Sequence, residues 1–408
     1  MDNFAPTNRQ QSPARVAVVA AGVISPLGRG LNETAASLAC GRDCITPVTR
    51  FSVAQCRCQT AGQVPNEWLD PVSHLEHRAK RLHPVARMMI VALAEALAQA
   101  PDFKPDLTVV GSTSGGMAFG EEYYRSLQAR GSHRRAPSQI ANYPPQKAVM
   151  DAQEALGISA PCQVIANACA SGTNAIGHAF ECVRSGRYQR ILTGGYDAIS
   201  ELVSAGFDSL QAATPEKCRP FDRGRSGMVL GEGAAILALE NLEAAKARGA
   251  NILAEVVGYG LSTDNHHLTQ PNPSGSGARQ AMERALESAQ FSASEIDYIN
   301  AHGTATPFND AAEGKAIAEL FGRVPVSSTK GMMGHSLGAA GAIEAVISLL
   351  ALREQILPPN INFRASDPGL ELGVVANESR PARIRTVLSN SFGFGGTNAS
   401  VILRSLAA

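Results

Sequence analysis

The chain has 408 residues, of which 44% are apolar and 18% charged, the balance of a folded globular protein rather than a disordered one. Lysine plus arginine and aspartate plus glutamate are equal at 36 each, so net charge gives no argument for nucleic acid or an anionic membrane. No apolar run reaches the roughly 20 residues that span a bilayer, and the length exceeds one small core, so two domains or one large duplicated fold are expected.

Residues 1–14 are polar and carry Pro6 and Pro13. They lack the charged start and long apolar stretch of a signal peptide, and read as a flexible tail on a cytoplasmic protein. Residues 16–22 (VAVVAAG) are a continuous apolar run, as in a buried strand. Cys40/Cys44 and Cys56/Cys58 are close pairs, but their spacings are not those of zinc ribbons and no matching second pair follows. No metal and no disulfide framework are expected. Residues 87–100 read as a helix with Met88, Val91, Ala92 and Ala98 on one side. Residues 107–111 read as a strand closed by the loop STSGG.

The order of elements then occurs a second time. Residues 253–260 (LAEVVGYG) form a strand ending in glycine, like the first. Residues 296–303 (IDYINAHG) echo 107–116, a strand running into a Gly/Thr/Ser loop. Residues 162–168, followed by a turn and a helix from Ser171, have the plan of 324–328 followed by Gly334 onward. Residues 190–195 and 385–396 close the two halves in parallel. The pattern predicts two similar α/β halves, residues 15–254 and 255–408, with loops from both meeting at the seam.

Four stretches carry chemistry. Cys169 lies in NACASG, after an apolar strand and before an alanine-rich helix, where a helix N-terminus favours a thiolate. On that stretch alone a buried structural cysteine is the commoner reading, by about two to one. His302 sits at the end of a strand in HGTATPFND, with Thr304 and Thr306 on the same loop. His335 lies in KGMMGHSLGAAGAIE, between Lys330 and Glu344, at the structural twin of the Cys169 position. Residues 390–398 (NSFGFGGTN) form a loop whose glycines free backbone N–H groups to face a ligand or to move.

Together, NACASG, HGTATPFND, KGMMGHSLGAAGAIE and NSFGFGGTN resemble the β-ketoacyl-ACP synthase family, in its decarboxylating Cys-His-His branch. RPFDRGRSGMVLGEGAA and NHHLTQPNPSG are similar to the same family, and the resemblance runs from about Val16 to the end. It implies a thiolase fold, two related α/β halves in a five-layer αβαβα arrangement, usually dimeric. It implies decarboxylative Claisen condensation with malonyl-ACP and no cofactor beyond the phosphopantetheine of acyl carrier protein. By motif, Cys169 is the implied nucleophile, and His302 and His335 the decarboxylation pair. Lys330 and Glu344 order the His335 network, and the N–H groups of Cys169 and Phe394 form an oxyanion hole. Phe392 and Phe394 gate the acyl pocket, Asp264 and Thr269 belong to a second mobile loop, and Thr304 and Thr306 bond the pantetheine arm. Ser114 replaces a bulkier apolar residue of the acyl pocket, which together with ACASG leans towards polyene and polyketide relatives. Those relatives pair with an inactive chain-length partner, so a heterodimer stands beside the homodimer. An acidic carrier needs a basic patch, for which Arg78, Lys80 and Arg81, or Arg134 and Arg135, are the candidates.

Other readings weigh less against the same residues. A thiolase uses a second cysteine in the C-terminal half, and none follows Cys218. Priming synthases carry Asn where His335 stands, and chain-length factors lack the nucleophile. A decarboxylase or carrier-loading acyl transferase, and a catalytically weak partner in a larger synthase, stay open as readings, and intact Cys169, His302 and His335 favour condensation over each.

Overall fold

The structure is a computed structural model that describes residues 13–69, 82–130 and 140–406. The strand Val16–Ser25 is buried along its whole length, as its unbroken apolar sequence requires. It pairs with Gly233–Asn241 on one side and with Ala254–Thr263 on the other, antiparallel in both cases.

The duplication read from the sequence is present in the sheet. From its edge at Cys162–Ile165, the first half runs through Leu107–Gly111, Arg190–Asp197 and Gly233–Asn241 to Val16–Ser25. The second runs from Pro325–Ser327 through Tyr298–Asn300, Thr386–Gly393 and Thr397–Arg404 to Ala254–Thr263. In each half the first two pairings are parallel and the last two antiparallel. The short strand Gly373–Val374 extends the second half by one. The two halves meet where Val16 stands opposite Val256.

Three apolar cores separate five layers. The central core holds the helices Ser171–Arg184 and Ala340–Glu354 between the two sheet halves. Every residue from Ala340 to Leu352 is buried, which explains why this helix is apolar all round, with Glu344 and Ser348 as the exceptions. One outer core packs Pro84–Gln99 and Gln146–Leu156 against the first half. The other packs Ser276–Ala289 and Pro307–Phe321 against the second. The helix expected at 87–100 begins earlier, at Pro84, because proline suits the first helical position and the His83 ring accepts the Val85 N–H at 3.1 Å. Among the described residues no helix is long and apolar enough to cross a membrane.

Truncation in the central layer tests this packing. Ile347→Ala removes a fully buried side chain between the sheets and is expected to lower stability by about 2–5 kcal/mol. Chemical denaturation measures this, with the exposed Lys246→Ala as a control that stays near wild type.

Candidate active site

The strand Cys162–Ile165 leads into a turn in which Ala168 adopts a φ of +55°, a left-handed conformation that is strained for alanine. The turn is tied down at its carbonyl: Ala168 O accepts the hydroxyls of Ser171 at 2.5 Å and Thr113 at 3.0 Å. It delivers the buried Cys169 thiol to the start of the helix Ser171–Arg184. The helix end does not act alone on this thiol. Burial pushes the Cys169 thiol up to about 12, the Asp197 carboxylate adds to the shift, and the Lys330 charge with the N–H groups of Phe394 and Cys169 opposes it without prevailing. Loss of water at a closed site outweighs the helix end.

His335 occupies the matching place in the second half. Its N–H donates to Val229 O at 2.7 Å and its carbonyl accepts the Gly231 N–H at 2.8 Å. Gly334 is required here, since it has a φ of +77° and a Cβ would stand 2.3 Å from Leu230 O. Leu337, two residues on, has a φ of +55° and donates its N–H to His335 Nδ1 at 3.3 Å. A ring nitrogen that accepts carries no proton, so the neutral imidazole holds its proton on Nε2. That nitrogen is buried and has no partner among the described residues.

The strand Tyr298–Asn300 positions His302. The N–H groups of His302 and Gly303 both donate to Glu313 at 2.8 Å, and Asn390 Nδ2 completes the carboxylate at 3.1 Å. The His302 carbonyl accepts Lys330 Nζ at 2.5 Å. Lys330 is also paired with Glu344, and both side chains are fully buried. Burial, then the Lys330 charge, hold both imidazoles well below their ordinary range, so both are neutral at physiological pH. Burial lifts Glu313 and Glu344 to about 7 each.

The rings of His302 and His335 meet edge to face at 5.2 Å. Donor atoms of Cys169, His302 and His335 all lie within 4.8 Å of one another, a spacing that raises the question of a metal ion. The His335 ring answers it. To ligate through Nε2 it would have to move its proton to Nδ1, against the Leu337 N–H. The ring is built to donate.

These groups close the inner end of a cleft of 320 Å³. Phe392, Phe394, Thr304, Thr306, Asp264 and Thr269, all expected from the sequence, line it. The Thr304 and Thr306 hydroxyls bond each other at 2.8 Å. Phe394 stacks on Phe207 at 5.5 Å. Asp264 accepts Asn398 Nδ2 and the Asn272 N–H, each at 2.9 Å, and its own N–H donates to Gly396 O at 2.8 Å. Gly395 N–H donates to Leu268 O at 2.7 Å, so the two loops are knit together.

Ser114 stands apart from the cleft. Its hydroxyl donates to Asp197 at 2.9 Å, and it is not among the lining residues. Arg78, Lys80, Arg81, Arg134 and Arg135 lie outside the described residues, as do residues 1–12 of the expected tail. Glu313, Asp197 and Phe207 were not singled out from the sequence. Glu313 follows Asn309 by one helical turn at a helix start, which is a weak signal. Asp197 ends an apolar strand and shows none.

A thiol set between two neutral imidazoles, at the joint of two duplicated α/β halves, defines a carbon–carbon bond-forming acyltransferase of the thiolase fold. Residues 14–245 match the family description "Beta-ketoacyl synthase, N-terminal domain" and residues 253–364 match "Beta-ketoacyl synthase, C-terminal domain". The chain is 37% identical to 3-oxoacyl-[acyl-carrier-protein] synthase 2 of Staphylococcus aureus (strain N315), covering 97% of this chain and 99% of that protein. Among solved structures, the ishigamide ketosynthase/chain length factor superposes with a TM-score of 0.90 at 34% identity, over 97% of this chain and 100% of that one. The ketosynthase complex AntDE:AntF, whose type II polyketide acyl carrier protein accompanies a ketosynthase bound to the hexaketide, gives 0.87 at 28% identity over 97% and 100%. The chain belongs to the beta-ketoacyl synthase family.

The protonation of Glu313 has a measurable sign. Its folded value of about 7 lies above its ordinary 4.5, so the folded state holds the proton more tightly and Glu313 lowers stability progressively as pH rises through that window. Glu313→Gln, which has no such proton to lose, should therefore gain stability relative to wild type between those two values and hold a constant difference above them. Unfolding free energies of both proteins across this pH range check the slope.

Proposed function

We propose that this synthase lengthens carrier-bound acyl chains by two carbons, with Cys169 as nucleophile and His302 and His335 as the decarboxylation pair. The observation that carries the reading is the convergence of these three side chains within 4.8 Å at the end of the cleft. The two half-reactions follow from it. The Cys169 sulfur attacks the acyl thioester carbonyl, the carrier thiol leaves, and the thiol proton of Cys169 goes to that departing sulfur. The N–H groups of Phe394 and Cys169, which face the sulfur, are placed to receive the oxyanion.

Malonyl carrier then enters. Its carboxylate leaves as carbon dioxide, and the electron pair of the broken bond forms an enolate on the thioester. His335 donates Nε2–H to that oxygen and His302 supports the same charge. Neutral rings suit this role, because a preformed N–H donor in a dry site stabilises charge as it develops without reorganisation. The enolate carbon attacks the Cys169 thioester, the new carbon–carbon bond forms, and the Cys169 sulfur leaves as a thiolate that takes a proton from solvent to restore the thiol. Lys330 and Glu344 hold the His302 carbonyl and keep the buried charges compensated. Thr304 and Thr306 bond the pantetheine arm. Phe392 and Phe394 gate the acyl pocket together with the Asp264–Thr269 loop. No metal or further cofactor enters this scheme.

The substrate carrier is acyl carrier protein, as the names of the relatives indicate. The halves divide at residues 254 and 255, where the first half passes into Ala254–Thr263. All eight cysteines are unpaired, which fits a reducing cytoplasm. A second reading, a heterodimer with a chain-length partner in specialised metabolism, is favoured by the likeness to ketosynthase/chain length factor structures. The strand Cys162–Ile165, left at the edge of the sheet, offers a row of backbone groups for a second chain. Native mass spectrometry of the chain alone and co-expressed with a candidate partner separates the two assemblies.

Intact-protein mass spectrometry after mixing with acyl carrier donors, then malonyl carrier, tests the reaction. An acyl adduct on Cys169 that discharges as a chain two carbons longer is expected. Failure of every donor, with and without a partner, would remove the condensing role. Cys169→Gln should lose condensation and keep or raise malonyl decarboxylation. His335→Ala should lose decarboxylation by about a hundredfold or more while retaining transfer to Cys169; normal elongation by that variant would defeat the assignment.

A further inference from the structure

Asp197 is wholly buried at the end of the strand Arg190–Asp197, and the chemistry above gives it no part. Its carboxylate is nevertheless saturated. One oxygen accepts the Ser114 N–H at 2.8 Å, the hydroxyls of Ser112 and Ser114 at 2.9 Å each, and the Gly115 N–H at 3.1 Å. The other accepts the Thr113 N–H at 2.9 Å and the Gly338 N–H at 2.6 Å. A carboxylate offers about four lone-pair positions, so these six donors leave none free.

The owners of these donors give the group its meaning. Thr113 sends its hydroxyl to the carbonyl of Ala168, the strained residue just before Cys169. Gly338 follows Leu337, whose N–H fixes the His335 tautomer. The approach at Gly338 is so close that a Cβ there would lie 2.7 Å from Asp197 Oδ2, Thr113 N and Thr113 Oγ1 alike. One oxygen thus grips a loop of the first half that props the nucleophile turn and a turn of the second half that follows the imidazole. The serines and threonine of STSGG serve this carboxylate rather than the cleft.

We propose that Asp197 is a positioning residue for the condensation: its buried carboxylate clamps the Thr113 loop to Gly338 and so sets the Cys169 turn against the His335 turn. The inference rests on the roles proposed for Cys169 and His335. It matters because a shift of about 1 Å between reacting groups costs on the order of a hundredfold in rate. Asp197 also acts on the thiol through space, with Lys330 as the opposing charge and His302 and His335 neutral beside it.

The test uses full-length Asp197→Asn, Thr113→Val and Gly338→Ala. Alkylation of Cys169, followed by peptide mass spectrometry, counts the competent sites, and kcat and KM are expressed per site. Asp197→Asn and Gly338→Ala should lower kcat per site by about ten- to a hundredfold with KM little changed. Thr113→Val keeps every backbone donor to Asp197 and should lose about three- to tenfold, since only the prop on Ala168 is gone. The alkylation midpoint should move to lower pH in Asp197→Asn, where a negative neighbour is removed, and stay in place in Thr113→Val. A merely structural Asp197 would reduce the number of sites or the melting temperature and leave kcat per site unchanged. That result in Thr113→Val and Gly338→Ala overturns the clamp, and these two variants decide the matter where Asp197→Asn fails to fold. A wild-type chain that does not condense would sink the synthase reading instead, and a Cys169 alkylation rate unchanged in Asp197→Asn, Thr113→Val and Gly338→Ala would then sink the clamp separately.

Discussion

Removal of water from the space between the two sheet halves governs this site. It keeps both imidazoles neutral, so that they donate hydrogen bonds rather than carry charge. It pushes the Cys169 thiol up to about 12. It also makes the Lys330–Glu344 pair obligatory as a pair, because either charge alone in that interior would be uncompensated. The polar groups around the cleft are accordingly partnered, apart from a few such as the His335 Nε2 and His302 Nδ1 nitrogens and one Glu344 oxygen. An unpartnered N–H at the inner end of a cleft is strained by its desolvation and is relieved only when an oxygen comes within reach.

The fold supplies this dry space through its symmetry. Two halves with the same strand order place equivalent helices back to back, and each helix start presents one reactive side chain. Cys169 and His335 therefore stand at matching positions, with a non-glycine residue in a left-handed conformation close by, Ala168 just before Cys169 and Leu337 two residues after His335. The strain at the two turns is the cost of aiming both side chains across the seam, and the hydrogen bonds to Ala168 O and His335 Nδ1 hold it in place.

Much of this was legible in the sequence. The duplicated pattern of glycine-ended strands anticipated the sheet, because the same succession of apolar runs gives the same crossover order of strands in both halves. Cys169, His302, His335, Lys330 and Glu344 stood out, because reactive residue types sat at strand–loop–helix junctions. What stayed hidden depends on three-dimensional closure. The burial that pushes the Cys169 thiol up was not visible, because a helix end shows in a sequence and the depth of burial does not. The bond from Ser114 to Asp197 was hidden, because a small polar residue in a loop says nothing of a partner 83 residues further on. Glu313 was missed for the same reason, since its ligands are backbone N–H groups that carry no sequence signature.

The bonds that knit Asp264 to Gly396 and Leu268 to Gly395 join segments more than a hundred residues apart into one mechanical body. A push on the outer segment by an arriving arm cannot be absorbed locally; it is passed on to the backbone that bears Phe394 and faces the sulfur. Entry and unlatching are then a single event rather than two in series.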